Sequence, residues 1–426
     1  MSDFYNGEYS SQSVIEEQVN NLSGVAKIKV IGVGGAGNNA VDRLIESGLQ
    51  SAEFIVVNTD NQALLRSKAS KRVQIGVKLT KGLGAGADPS VGRAAAEENK
   101  ETIQEFLKDT DLLFITAGMG GGTGTGASPV IAKIAKEMKI LTVAVVTLPF
   151  NFEAKRRMDN ALAGVEELRK VVDSIITIPN DKIREVVPKG TSFADSLKVA
   201  DEVLRQGIRG IAELIVKPSL INLDFADVKA TLKGRGLAHM GIGVAKGEKR
   251  ITEAVRGAVC SPLLNTTIEG ASSVILNIMG GKDLSLDEVV MAADLVRGVI
   301  DYSANVIFGA CIDENMSDEV EVVIIATGFN NQQIVAEESV VNSAQQASIL
   351  AKKIEMVQAD APTFAPQPTY AEPTPVQPVV TATPTPTFEP GDPMPVAPTA
   401  PVQEPAPERK RPRFVDFFMK RNGDNK

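Results

Sequence analysis

The chain has one histidine, His239, and only two cysteines, Cys260 and Cys311. A single histidine excludes a metal site built on a His pair and a proton relay between two imidazoles. The two cysteines fall in no metal-ligand spacing, which points to a reducing compartment. No apolar run approaches the roughly 20 residues needed to span a bilayer; the longest, Leu141 to Val146, is strand-sized. The polar, acidic first 24 residues lack the charged start and apolar centre of a signal peptide and read as a disordered arm. Residence in the cytoplasm is therefore expected. A net charge of −8 argues against a general nucleic-acid coat. His239 lies in Gly236-Leu237-Ala238-His239-Met240-Gly241, which reads as a turn entering a strand, so its default role is structural.

What the chain does have is glycine in informative places. With 426 residues and 43% hydrophobic content, it has room for about two or three globular domains. The run Gly118-Met119-Gly120-Gly121-Gly122-Thr123-Gly124-Thr125-Gly126 follows a strand pattern at 111–117 and precedes a helix pattern from Ala127. Glycines at such a junction leave backbone N–H groups open to anionic oxygens beside the positive end of a helix. The run lacks the lysine of a P-loop, so it is no Walker A motif. A flexible linker is the alternative, but the apolar periodic segments on both sides favour a phosphate site.

From Lys27 strands and helices alternate. Strands are expected at Lys27–Val33, Glu53–Val57, 111–117, Leu141–Val146 and Ser174–Ile178, with helices at Asn38–Ser47, Pro89–Leu107 and 127–138. That alternation specifies a parallel sheet covered on both faces, with ligands at the carboxyl ends of its strands. Residues 194–216 read as a long amphipathic helix. A second α/β unit follows, with strands near Gly241–Ala245, Ser272–Met279, Asn305–Ile312 and Glu321–Thr327 and helices near Ile251–Ala258 and Ser285–Val299. Beyond Gln333 a polar helix-prone stretch gives way to Pro-rich sequence: fifteen of the 23 prolines lie between Ala361 and Pro407. Such composition forms no core and reads as an extended linker. In the closing segment Phe414, Phe417 and Phe418 share one helical face flanked by basic residues such as Arg413, the pattern of a short docking peptide.

Other motifs are more ambiguous. Gly32-Val33-Gly34-Gly35-Ala36-Gly37 matches G-x-G-x-x-G, and Asp60 stands where a ribose contact would, as in an NAD site. Two separate Gly-rich loops better suit a mononucleotide with several phosphates. Thr123 and Thr125 can add hydroxyl donors, and a third loop, Gly82-Leu83-Gly84-Ala85-Gly86-Ala87-Asp88-Pro89, could close over the terminal phosphate. Glu153 and Arg157 stand i, i+4 on a helix opening after Asn151, which alone reads as a surface ion pair. Asn180 and Asp201 could read a base edge, since a carboxylate accepts from guanine N1–H and N2–H₂ together; a helix cap and an exposed acid are the plainer alternatives. In Asn222-Leu223-Asp224-Phe225-Ala226-Asp227, the two aspartates could polarise a water that Asn222 orients, or Asp224 could cap the next helix.

Taken together, these segments resemble the FtsZ family, bacterial relatives of tubulin, over roughly residues 25–330. Gly120 to Gly126 resembles the family's signature loop, Gly34-Gly35-Ala36-Gly37-Asn38-Asn39 its first phosphate loop, and Asn222 to Asp227 its synergy loop. The resemblance implies a Rossmann-like GTP-binding domain (25–193), a central helix (194–216), a smaller α/β C-terminal domain (217–333), a disordered linker (334–407) and a partner-binding tail (408–426). It also implies GTP/GDP as ligand, Mg²⁺ bound with the nucleotide rather than by assigned side chains, and head-to-tail filaments of the cell-division ring at midcell. Gly84, Ala85, Gly86, Glu153 and Arg157 then become nucleotide contacts, Asn180 and Asp201 guanine readers, and Asn222, Asp224 and Asp227 catalytic groups acting on the next subunit. Membrane-tethering and regulatory division proteins would bind the tail. Two departures stand out. Leu197 occupies the place of an aromatic that stacks on the base in many relatives, and Arg413-Phe414-Val415-Asp416-Phe417-Phe418 only loosely matches the family's tail pattern.

Overall fold

The computed structural model describes residues 26–329 apart from 188–189, 217–220, 222, 262–267, 302 and 315. The N-terminal arm, Asn222, the Pro-rich stretch and the tail with Arg413, Phe414, Phe417 and Phe418 lie outside the described residues. The first half comprises β1 (Ile28–Val33), α1 (Gly34–Glu46), β2 (Glu53–Asn58), α2 (Asn61–Arg66), β3 (Lys71–Gln74), α3 (Val77–Thr80), α4 (Pro89–Glu98), α5 (Lys100–Leu107), β4 (Leu112–Gly118), α6 (Thr123–Glu137), β5 (Leu141–Leu148), α7 (Lys155–Arg169), β6 (Ser174–Pro179) and α8 (Asn180–Val186). The central helix α9 (Phe193–Val216) and α10 (Phe225–Leu232) lead into β7 (Gly236–Lys246), α11 (Arg250–Val259), β8 (Ser273–Gly280), α12 (Leu286–Arg297), β9 (Asn305–Ile312) and β10 (Glu319–Thr327).

All ten strands join one sheet in the order β3-β2-β1-β4-β5-β6-β7-β10-β8-β9. The first six are parallel. Successive strand residues point to opposite faces: Val30, Phe114 and Val143 enter one core with α1 and α9, while Ile31, Ile115 and Ala144 enter another with α4 to α7. The expected second α/β unit is continuous with this sheet. β7 pairs with β6 over three positions, Ser174↔Gly236 to Ile176↔Ala238, and β10 runs antiparallel between β7 and β8. Its outer face packs on α11 and α12.

Three expectations need revision. The helix expected over Pro89–Leu107 divides at Asn99, whose backbone leaves helical geometry (φ −110°, ψ 24°) and whose Oδ1 accepts the Gly76 N–H at 2.8 Å. Short elements α2, β3 and α3 were not anticipated; each is too brief to show a period. Finally, the amphipathic α9 has much of its polar side buried too. Val203, Ile208, Ile211 and Leu214 join the core shared by both halves of the sheet. On its other side Arg209 pairs with Glu213 at 3.0 Å and with Asp313 at 3.1 Å, and the Asn277 amide donates to Gly210 O at 3.1 Å. From Arg205 onward the polar residues of this helix are buried, whereas Asp195 and Lys198 in its first turns remain in contact with water.

His239 lies within β7 rather than at its entry, 8% exposed, with its ring edge-on to Phe329 at 4.5 Å. Burial pushes its pKa down to about 4. Because the folded value lies below the unfolded value of about 6.5, acidification protonates the unfolded chain first, and this group's contribution is lost as pH falls from about 6.5 to about 4. Urea unfolding across that range is expected to show wild type losing up to about 3 kcal/mol relative to His239→Gln, and no relative loss above about pH 7. A pH-independent difference between the two proteins would contradict a neutral buried imidazole.

Candidate functional site

Strand order reverses between β1 and β4, so the segments leaving those strands diverge and open a crevice at the carboxyl edge of the sheet. Two helices begin there: α1 at Gly34, directly after β1, and α6 at Thr123, after the four-residue turn 119–122 that follows β4. Their N-cap positions, Val33 and Gly122, supply no side-chain hydrogen bond. The first-turn N–H groups and the positive helix ends are thus available to an external anion. The helices start earlier than the Gly-rich patterns implied, because those glycines are themselves the first turns.

Packing divides the glycines into two sets. A Cβ on Gly34 would lie 2.9 Å from Gly124 N, and one on Gly124 would lie 2.7 Å from Gly118 O, so the two loops meet through bare backbone. Gly37, Gly122 and Gly126 likewise press on Thr116 O, Ala85 Cβ and Pro89 O, and Gly120 presses on the backbone of Arg157. At Gly35 and Gly121 an added Cβ meets nothing within 4 Å. Those two border the open crevice, together with exposed Ala36 and Asn39 on the first turns of α1.

Several side chains named from sequence hold the loops. Thr123 Oγ1 shares a hydrogen bond with Thr59 Oγ1 at 2.7 Å, and Thr125 Oγ1 accepts the Gly120 N–H at 2.8 Å, leaving its own proton to donate. Asn38 is buried; with its amide oriented by its neighbours, it donates to Gly34 O and Gly32 O and accepts from Asn58. The third Gly-rich loop packs Ala85 under Gly122, and Asp88 caps α4 by accepting the Ser90 N–H at 2.8 Å. Asp60 caps α2 through the Gln62 and Ala63 N–H groups at 2.8 and 3.3 Å. Its Oδ1 therefore serves that helix, which gives the residue a structural role in place of the one read from its spacing. Glu153 and Arg157 do not share one helix. A 3-10 turn over Asn151–Glu153 ends at Ala154 (φ 82°), and α7 starts at Lys155. Their ion pair, 3.1 Å, closes that turn beside Gly120, while Glu153 also accepts the Phe150 N–H at 2.9 Å.

Asn180 opens α8 directly after β6, at the same sheet edge. It is buried, and among the described residues its Oδ1 has no hydrogen-bond partner. An orphaned acceptor in a polar crevice is what a ligand's N–H would satisfy. It is not the cap of α8, whose N-cap is Pro179. Nor is Asp201 the exposed acid that sequence allowed. It is largely buried on α9 and accepts Arg43 Nε at 3.0 Å; burial pushes its carboxyl up from the usual range while Arg43 opposes that shift. Leu197, one turn earlier, is partly exposed.

Asp224 and Asp227 lie elsewhere. β7 enters the sheet beside the start of β6, so the segment before it sits at the amino edge, opposite the crevice. The 24-residue α9 separates the two ends by about 36 Å. Asp224 occupies the N-cap position of α10 but makes no capping hydrogen bond, and both aspartates are exposed. Among the described residues no group of three or more His, Cys, Asp or Glu could hold a metal ion. Sequence reading missed Thr59 and Arg43. Thr59 could have been found from its place just past the carboxyl end of β2; Arg43 could not, because its partner is 158 residues away.

The glycine geometry yields a paired test on nucleotide-free protein. Gly124→Ala forces backbone apart and is expected to destabilise by about 1–3 kcal/mol. Gly35→Ala, with open space for its methyl, should unfold within about 1 kcal/mol of wild type, or somewhat higher, because alanine favours a helix, yet weaken triphosphate binding. Calorimetry with a binding titration checks both, and a large stability loss in Gly35→Ala would mean that the crevice is closed there.

Residues 27–188 match the GTPase domain of the Tubulin/FtsZ family, and residues 236–330 match the C-terminal domain of the FtsZ family. Among solved structures, an FtsZ dimer from M. jannaschii, described as empty, is 46% identical with a TM-score of 0.70, over 75% of this chain and 92% of that one. CetZ1 from Haloferax volcanii, a GDP-bound monomer, is 26% identical with a TM-score of 0.63, over 76% of this chain and 99% of that one. CetZ2 from the same organism, a GTPγS-bound protofilament at 22% identity and TM-score 0.63 over 77% and 99%, shares the fold. With both family domains matched in order along one sheet, the chain belongs to the FtsZ family of tubulin-like GTPases.

Proposed function

We propose that this GTPase binds GTP in the β1–β4 crevice, assembles head to tail, and hydrolyses the nucleotide where Asp224 and Asp227 of one copy enter the crevice of the next. The observation that carries this reading is the separation of two half-sites. Uncapped helix N-termini stand at one end of the molecule, and an exposed pair of carboxylates, one at an unused cap position, stands at the other.

In this reading the first-turn amides of α1 and α6, with Gly35, Gly121 and the Thr125 hydroxyl, grip the phosphates. Arg157 and Glu153 flank the ribose and phosphates, and Asn180 and Asp201 face the base. Asp224 and Asp227 orient and polarise the attacking water, with Asn222, two residues before Asp224 in sequence, as a further candidate, and the amides of the crevice stabilise charge developing on the terminal phosphoryl oxygens. Mg²⁺ bound to the nucleotide would offset phosphate negative charge. An interface between opposite ends does not close on itself, so it generates an open filament, which suits the division ring at midcell. The tail with Arg413, Phe414, Phe417 and Phe418 would connect that filament to membrane-tethering and regulatory division proteins. Among the described residues no helix is long and apolar enough to cross a membrane.

Phosphate release from GTP with Mg²⁺, measured across protein concentration, tests the shared site. Specific activity is expected to rise from near zero above a threshold. Asp224→Ala should keep GTP affinity and lose about 10²-fold or more in turnover, the range of a positioned acid–base group. Constant activity per molecule, or normal turnover by the variant, would remove the trans assignment.

A further inference from the structure

Asp201 is an awkward group for recognition. A carboxylate selects guanine only when ionised, because it must accept from N1–H and N2–H₂ at once; protonation turns one acceptor into a donor facing donors. Yet the side chain is largely buried, and burial favours the neutral form. Among the described residues the donor that reaches it is Arg43, whose Nε lies 3.0 Å from Oδ2. Arg43 stands on α1, nine residues after Gly34 and so roughly 13 Å further along the helix axis. The helix whose first turn borders the phosphate crevice therefore also carries the partner of the base-reading acid.

We propose that Arg43 is a positioning residue for base selection: its guanidinium engages one lone pair of Asp201 Oδ2, fixes the carboxylate, and leaves Oδ1 and the second Oδ2 lone pair to the two donors of a 2-amino-6-oxopurine. This rests on reading the crevice as a GTP site. The other charged groups around Asp201 do not substitute for Arg43. Glu202 is held by Arg205 and opposes ionisation of its neighbour, and Lys198 is held by Asp195. On α8, Asp181 accepts the Asn151 N–H and Lys182 is already engaged; on α1, Asp42 is taken by Ser67 and the Lys68 N–H. Without Arg43, burial would act on Asp201 with no compensating cation, and the acid would bind protons at a higher pH. Binding through the phosphates would survive; discrimination between bases would not.

Equilibrium binding of GTP, inosine triphosphate and xanthosine triphosphate to full-length wild type, Arg43→Met, Arg43→Lys and Asp201→Asn separates the possibilities. Inosine triphosphate lacks the 2-amino group. Xanthosine triphosphate carries an oxygen there, which an asparagine amide can meet. At about pH 6, Arg43→Met is expected to lose about tenfold of the preference for GTP over inosine triphosphate, the scale of one hydrogen bond to a charged group. Less should be lost at about pH 8, and Arg43→Lys should recover most of the preference. Asp201→Asn should move preference toward xanthosine triphosphate. If Asp201→Asn behaves so while Arg43→Met keeps its preference at both pH values, the role of Arg43 is refuted and the base reader stands. Equal weakening for all three nucleotides at both pH values would make Arg43 merely structural and would also overturn the proposal. Failure of Asp201→Asn to change preference would remove the guanine-reader assignment itself, and Arg43 with it.

Discussion

The structure depends on peptide N–H groups that are left without partners. The first turn of any helix carries donors that its own backbone cannot satisfy, and most proteins cap them. At the start of α1 and α6 no side chain does so. Much of the surrounding sequence holds these two open ends side by side. Glycines let the backbones of the two loops touch, Asn38 ties the first loop back to β1, and Thr59 fastens the second loop to the end of β2. Removing any of these would leave the donors in place but aimed apart.

The second constraint is the central helix. Apolar residues alone would have let α9 lie on the sheet with its other face in water. Instead Arg209, Glu213 and Asp313 form buried ion pairs toward the C-terminal half. Buried pairs of this kind add little net stability because desolvation offsets their attraction. They do restrict which arrangements of the two halves leave every charge partnered. The seam between the halves is otherwise narrow, three register pairs between β6 and β7 against nine between β7 and β10. Side-chain pairing on α9 therefore contributes alignment that the backbone ladder does not.

Sequence made the α/β alternation legible because buried parallel strands are long apolar runs between turn signals. Strands such as Asn305–Ile312 are found where they were expected. The Gly-rich loops were legible as anion sites for the same local reason. What sequence could not show was function divided between distant segments. Asp60 looked like a ribose contact until its carboxylate was seen capping α2. Glu153 and Arg157 looked like neighbours on one helix, whereas a residue at positive φ breaks the chain between them and the pair closes a turn. Exposure was the plainer reading of Asp201, and only the packing of α1 against α9, with Arg43 on its carboxylate, shows why it does not hold. Each miss concerns a side chain whose environment is set by another element.

The solitary, buried histidine has a consequence for a molecule that would stack on copies of itself. Imidazole is the side chain whose unperturbed ionisation falls within the neutral range, and here it is held neutral down to about pH 4. The usual source of a variable charge near neutrality is thus withheld from the surface. Repulsion between copies of this acidic chain is then governed by dissolved ions, through screening over about 10 Å at 0.1 M salt. Ordinary fluctuations in acidity would not alter that repulsion through the chain's imidazole.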